Sequence, residues 1–206
     1  KPSKIILYKK IRDNSEFVNG TVLDAGSSGS KRYNHLFKNA QKIITLDINQ
    51  EYKPDIIASV EKIPEKDNTF DSIVCFQVLG DVSDLGLALS EFYRVLKPGG
   101  IILASESLFN EIHGAPNDFW RFTNFGLEKM FQKAGFKVTK VEQVGGYFSV
   151  MAQMGIRYLI ERFNLFENRI WNIVLAPVCK IFGSIANNLD KIDHSEANKK
   201  FAIGYL

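Results

Sequence analysis

Short apolar runs that stop at an acid or at glycine alternate along this chain with longer stretches whose apolar residues recur every three or four positions. The runs read as strands at 21–24, 43–47, 55–58, 71–76 and 100–104, and their near-continuous hydrophobicity predicts burial on both faces. Helical spacing predicts a leading helix from Ile5 to Phe17, broken at Asn19-Gly20, and further helices at about 31–38, 84–96 and 124–134. The second of these stops at Pro98-Gly99-Gly100, and Gly135 is placed to close the third in the left-handed conformation. Val138–Val144 and Phe201–Leu206 read as two more strands. Strands separated by helical patterns predict parallel βαβ units, with ligands at the carboxyl ends of the strands.

The first strand empties into Asp24-Ala25-Gly26-Ser27-Ser28-Gly29-Ser30, where no side chain after Asp24 exceeds a hydroxymethyl. Small residues let a ligand approach the backbone amides closely. The second strand ends at Asp47, 23 positions after Asp24, near the ~20-residue interval at which a nucleotide-binding βαβ unit places its ribose carboxylate. A nucleoside-containing cofactor is expected here. A dinucleotide fingerprint needs a third glycine and no acid beside its pyrophosphate. Asp24 would repel a pyrophosphate but attract an ammonium and a sulfonium, so the loop chemistry favours S-adenosylmethionine.

At this point the chain resembles the class I S-adenosylmethionine-dependent methyltransferases, whose first motif, Asp/Glu-x-Gly-x-Gly-x-Gly, appears with Ser28 and Ser30 at the second and third glycine positions. Ala58-Ser59-Val60-Glu61-Lys62-Ile63-Pro64 is similar to the third motif, with Ser59 where Asp is usual. Asn68 to Phe76 resembles the turn and fourth strand, and Arg94-Val95-Leu96-Lys97-Pro98-Gly99-Gly100 a string specific to the family. The resemblance spans about residues 20–145. It implies an α/β, Rossmann-like, doubly wound seven-stranded sheet, mostly parallel with an antiparallel last strand. It further implies that Asp24, Gly26, Ser28 and Gly29 hold the methionine part of the cofactor. Asp47 would bind ribose, Ile48 cover the adenine face, and Ser59 with Val60 meet its edge. Phe76 and Gln77 would lie near the transferred methyl.

Between the fifth strand and the next helix lies Glu106 to Thr123, containing His113-Gly114-Ala115-Pro116-Asn117-Asp118-Phe119-Trp120-Arg121-Phe122-Thr123. This resembles a His-x-x-Pro-x-Asp-Phe-Trp-Arg-Phe-Thr string of a methyltransferase subgroup associated with surface glycans. Polar groups among aromatic rings can stack and hydrogen-bond a small-molecule or glycan-type acceptor. Asp118, Trp120 and Arg121 are candidate acceptor contacts, with loop bracing by an Asp118–Arg121 pair as the competing reading. His113 is the candidate general base, because a hydroxyl acceptor must lose a proton and imidazole titrates near neutrality. Asp81 is expected to cap the helix that begins near Asp84.

The 206 residues, 45% of them hydrophobic, fit a single domain. A net charge of +3 without a long basic run excludes an argument for nucleic acid. Cys75 and Cys179 predict no disulfide framework and fit a reducing, cytoplasmic setting. Lys1 rather than Met stands first, so a targeting segment upstream stays open. No Cys/His cluster has ligand spacing, which predicts no metal.

Residues 147–198 interrupt the expected return from sixth to seventh strand with helical, strongly apolar sequence. The favoured reading is a helical lid packed on the domain, with burial in a homodimer as a variant. The sharper reading is an interfacial surface for a membrane or lipid-linked acceptor, with Arg169, Trp171 and Lys180 at headgroup level.

Methyl transfer to oxygen is the expected activity. A non-catalytic cofactor-binding or scaffold protein is the alternative, motivated by Ser28, Ser30 and Ser59. A nicotinamide-dependent oxidoreductase is disfavoured by the first loop.

Overall fold

The computed structural model describes residues 2–28, 32–165 and 169–206, without the side chains of 2–3 and 169–176. Gly29 and Ser30 therefore lie outside the described residues, as do the side chains of Arg169 and Trp171. Seven strands form one sheet: β1 (Asn19–Ala25), β2 (Asn39–Asp47), β3 (Ile56–Ile57), β4 (Phe70–Phe76), β5 (Leu96–Ser107), β6 (Gln143–Val144) and β7 (Gly204–Tyr205), in the order β3-β2-β1-β4-β5-β7-β6. The first five are parallel, and β7 runs antiparallel to both β5 and β6. The fold is α/β and Rossmann-like.

Alternation along the central strands builds a core on each face. Leu23, Ile73 and Cys75 pack with α2 (Leu85–Val95) and α3 (Asn124–Lys133), whereas Val22 and Val74 pack with α1 (Pro2–Asp13). Helix α2 forms because Leu85, Ala88, Leu89, Phe92 and Val95 fall on one face, and Asp84 caps it by accepting Leu87 N–H at 2.9 Å. Gly135 closes α3 at φ +100°, and the amide of Phe136 returns to Phe131 O at 3.0 Å. At the antiparallel edge, Gly204 approaches β5 so closely that a Cβ there would sit 2.1 Å from Glu106 O.

Two sequence expectations are corrected. The stretch 31–38 holds, among its described residues, only the single 3-10 turn Asn34–Leu36. Tyr33, Asn34 and His35 are weak helix formers, so nothing in their propensity favours extending that turn into a helix. The cap of α2 is Asp84, and Asp81 instead ends a 3-10 turn, Leu79–Asp81. Elsewhere bounds shift: the sixth strand is only Gln143–Val144.

Helices α4 (Tyr147–Arg162) and α5 (Arg169–Ile192) stand between β6 and β7. Asp190, near the end of α5, accepts the amides of Gly146, Phe148 and Ser149 at 2.9–3.0 Å, so the two helices run antiparallel with the start of α4 capped by α5. Arg157 of α4 is ion-paired to Glu111 of the β5–α3 loop. Of the described large apolar residues Val150 packs inward, but many others do not. Ser149, Gln153, Gly183 and Ala186 are buried, while Met151, Met154, Tyr158, Ile181, Phe182 and Ile185 are exposed. No helix among the described residues is long and apolar enough to cross a membrane.

Candidate functional site

Two cavities of about 360 and 410 Å³ adjoin over the carboxyl ends of β1, β2 and β4, sharing Gly26, Ser28 and Gln77 in their walls. The second gathers the residues expected to meet a nucleoside. Leu46, Asp47, Ile48, Ser59 and Val60 line it. Ile48 is 74% exposed, an apolar side chain held open at the end of a strand. Asp47 is fixed by two amides, Ser28 N–H to Oδ2 and Asn49 N–H to Oδ1, both at 2.9 Å. Each carboxylate oxygen keeps a further lone pair for a hydroxyl. Ser59 Oγ is engaged with Glu61, accepting its amide at 3.1 Å.

The turn after β1 is shaped by Gly26. Its φ is +75°, and a Cβ there would lie 2.3 Å from Val78 Cγ2. Glycine thus lets the β1 and β4 ends close upon each other beneath the groove.

The first cavity is lined by Asp24, Phe76, Glu106, Asn110 and His113, together with Lys4 and Arg32. Asp24 offers an anion to an ammonium, and Arg32 offers a cation to a carboxylate. The lining of this cavity thus holds an opposite charge for each end of an amino-acid zwitterion, as the methionine part of S-adenosylmethionine would require. Phe76 stacks on Phe37 and meets Tyr33 edge-on, closing the cavity with aromatic surface. Gln77 is held by Ser105 and by the Ser107 hydroxyl, which donates to its Oε1.

Glu106 carries no signal in the sequence, yet it organises this floor. It is 2% exposed, and its Oε1 accepts Val78 N–H and Leu79 N–H at 3.0 and 2.8 Å while Oε2 accepts Gly80 N–H at 3.2 Å. Burial pushes its carboxyl up to about 8, against the pull of those three amides. Its partners are backbone groups 26–28 residues away, so no side-chain pattern could have announced it.

In the β5–α3 loop, His113 Nδ1 lies 3.0 Å from Glu111 O. A carbonyl only accepts, so Nδ1 carries a proton, and in the neutral ring the lone pair falls to Nε2. Asp118 and Arg121, candidate acceptor contacts with loop bracing as the competing reading, line neither cavity. Arg121 Nη2 donates to Asp118 Oδ2 at 2.8 Å and to Glu111 O at 3.0 Å, and His113 N–H donates to Asp118 at 2.9 Å. The Asp118 side chain is 2% exposed, and Arg121 holds its carboxyl well below the usual range. They brace the loop. Trp120 Nε1 donates to Val82 O at 2.8 Å and anchors it.

Groove-facing positions in this loop are Asn110, His113, Asn117 and Phe119. The loop lies beside the groove, and which of its residues turn inward depends on that brace. Asp81 also lines the second cavity, with its carboxyl raised by burial. Asp81, His113 and Asp118 bring one ligand atom each within 4.8 Å. Arg121 already occupies both oxygens of Asp118, so this cluster carries its own cation.

Residues 23–104 match the protein family described as a methyltransferase domain. Malonyl-[acyl-carrier protein] O-methyltransferase of Yersinia pestis is 40% identical over 96 residues, covering 41% of this chain and 35% of that protein. Ubiquinone/menaquinone biosynthesis C-methyltransferase of Rickettsia akari is 33% identical over 123 residues, covering 59% of this chain and 46% of that protein. The chain thus spans less than half the length of both relatives. A solved methyltransferase structure from Aquifex aeolicus superposes with a TM-score of 0.56 at 22% identity, covering 70% of this chain and 88% of that one. The sheet order and this likeness agree on the fold.

Proposed function

We propose that this chain transfers a methyl group from S-adenosylmethionine to an oxygen of a small-molecule or glycan-type acceptor. One observation carries the reading: a nucleoside groove with a fixed carboxylate, Asp47, opens into a cavity that matches an amino-acid zwitterion and faces a histidine with a free Nε2. When bound, S-adenosylmethionine supplies an electrophilic methyl on a sulfonium. Asp24, Gly26, Ser28 and Arg32 would hold its methionine part, Asp47 its ribose, and Ile48, Ser59 and Val60 its adenine.

The chain's own work is then orientation and proton removal. An in-line displacement gains most from aligned reactants, and Phe76 and Gln77 fix one wall of the shared groove. Asn110, Asn117 and Phe119 offer hydrogen bonds and a ring face to the acceptor. His113 Nε2 takes the hydroxyl proton, while the Glu111 carbonyl and the Asp118 carboxylate orient the ring through Nδ1. The malonyl O-methyltransferase relative supports oxygen as nucleophile. The C-methyltransferase relative supports the alternative of carbon, for which the same base would remove an acidic C–H proton.

Calorimetry with S-adenosylhomocysteine, followed by transfer of labelled methyl into fractionated cell extract, tests this. Binding together with labelled product is expected. Folded protein that binds no S-adenosylhomocysteine would overturn the reading, and binding without any transfer would favour a non-catalytic role.

A further inference from the structure

Among the described side chains of α4 and α5, most of the large apolar ones face outward, Val150 being buried. On α5, Val178, Ile181, Phe182, Ile185, Leu189 and Ile192 recur at intervals of three, four and seven, and all are at least 41% exposed. The face turned toward the body of the chain carries Gly183, Ala186 and the capping Asp190. On α4, Tyr147, Met151, Met154 and Tyr158 form a second outward stripe, while Ser149 and Gln153 are buried, each with a side-chain oxygen lacking a hydrogen-bond partner. A helix pair designed for water does the opposite. Large apolar side chains outside and small or polar ones along the seam are the arrangement tolerated where the surroundings are hydrocarbon.

We infer that the α4–α5 hairpin lies on the surface of a lipid bilayer, with its apolar stripes in the acyl boundary. Three further features select a bilayer over a second copy of the chain. The exposed charged side chains described on α5 are both lysines, Lys180 and Lys191, eleven residues apart and together on the polar side of the helix, well round from its stripe. That is the placement from which lysines reach anionic headgroups. Met and Tyr make up the α4 stripe, and the tyrosines offer a wet end at the boundary. No described helix can span the bilayer, so the hairpin rests in its interface.

The hairpin is also joined to the groove. Arg157 of α4 pairs with Glu111, whose carbonyl holds His113. On the reading above, this sets the acceptor face of the groove beside the membrane, and the acceptor class becomes an amphiphile held in the bilayer by its own apolar tail.

The test uses the full chain and vesicles of phosphatidylcholine, with and without phosphatidylglycerol. Co-sedimentation with the anionic vesicles is expected, reduced by high salt. Ile181→Asp combined with Ile185→Asp should weaken it by about tenfold or more, the loss expected from two buried aliphatic side chains. Ile57→Asp, an equally exposed replacement on β3, should leave it unchanged, and circular dichroism verifies that both variants fold. Failure of the parent to sediment with either vesicle would overturn the proposal. So would a dimer in sedimentation equilibrium that the double replacement dissolves while vesicles go unbound, since the stripes would then cover each other. Neither readout depends on methyl transfer, so failure here is separable from failure of the proposed activity.

Discussion

Glu106 Oε1 accepts the amide of Leu79 at 2.8 Å, joining the end of β5 to the turn that follows β4. Together with Val78 and Gly80, three amides of that turn depend on one buried carboxyl. Glu106→Ala should cost about 3 kcal/mol, because unsatisfied buried donors are each worth about 1–3 kcal/mol. Chemical denaturation of parent and variant measures it.

The same residue predicts a pH dependence. Its folded-state carboxyl is raised to about 8 from an ordinary 4.5, so between those values the folded chain holds a proton that the unfolded chain has lost. Stability should therefore fall as pH rises from about 4.5 to about 8 and level off above. Denaturation midpoints across that interval should show this slope in the parent and lose it in Glu106→Ala.

Asp47→Ala should weaken S-adenosylhomocysteine binding by about 10- to 150-fold, the equivalent of one charge-assisted hydrogen bond of about 1.5–3 kcal/mol. The amides of Ser28 and Asn49 lose their acceptor in the same step. Asp47→Asn should fall between parent and Ala, because one oxygen remains. Titration calorimetry ranks the three.

His113→Ala should lower kcat by about 10²–10⁴, the usual contribution of a positioned base. Affinity for S-adenosylhomocysteine should stay within about twofold, a difference too small for any lost hydrogen bond. If His113→Gln keeps most of the rate, the imidazole only holds the loop. Once an acceptor is in hand, single-turnover rates and calorimetry separate these outcomes.

Asp190→Ala should loosen the start of α4 and cost about 1–2 kcal/mol, the range of a lost helix cap. Amide hydrogen exchange at Gly146, Phe148 and Ser149 should accelerate, while exchange in β1 and β4 should not.

The parallel strands were legible because each is a short apolar run closed by an acid or glycine, and burial on both faces leaves that trace in sequence. The placement of Asp24 and Asp47 beside the groove was legible for the same reason: both sit at strand ends, where position follows from the element. The acceptor side was less so. Asp118 and Arg121 look like ligand contacts in a one-dimensional motif, but their three-residue spacing lets them find each other first. The apolar sequence announced helical structure after β6. It could not say which stripe faces inward, because Gly183, Ala186 and Ser149 do not stand out against Ile181 or Met151 until a neighbour is present.

Glu106 uses both ends of its residue. Its main chain pairs with the antiparallel edge at β7, where Gly204 leaves no room for even one added carbon, while its side chain sets the turn beneath the cofactor groove. A methyl at position 204 would press on the peptide whose side chain holds Val78, Leu79 and Gly80 in place. The rim of the sheet and the floor of the groove therefore constrain each other's sequences, and variation at 204 would be tolerated only with a compensating change at 106 or in the 78–80 turn.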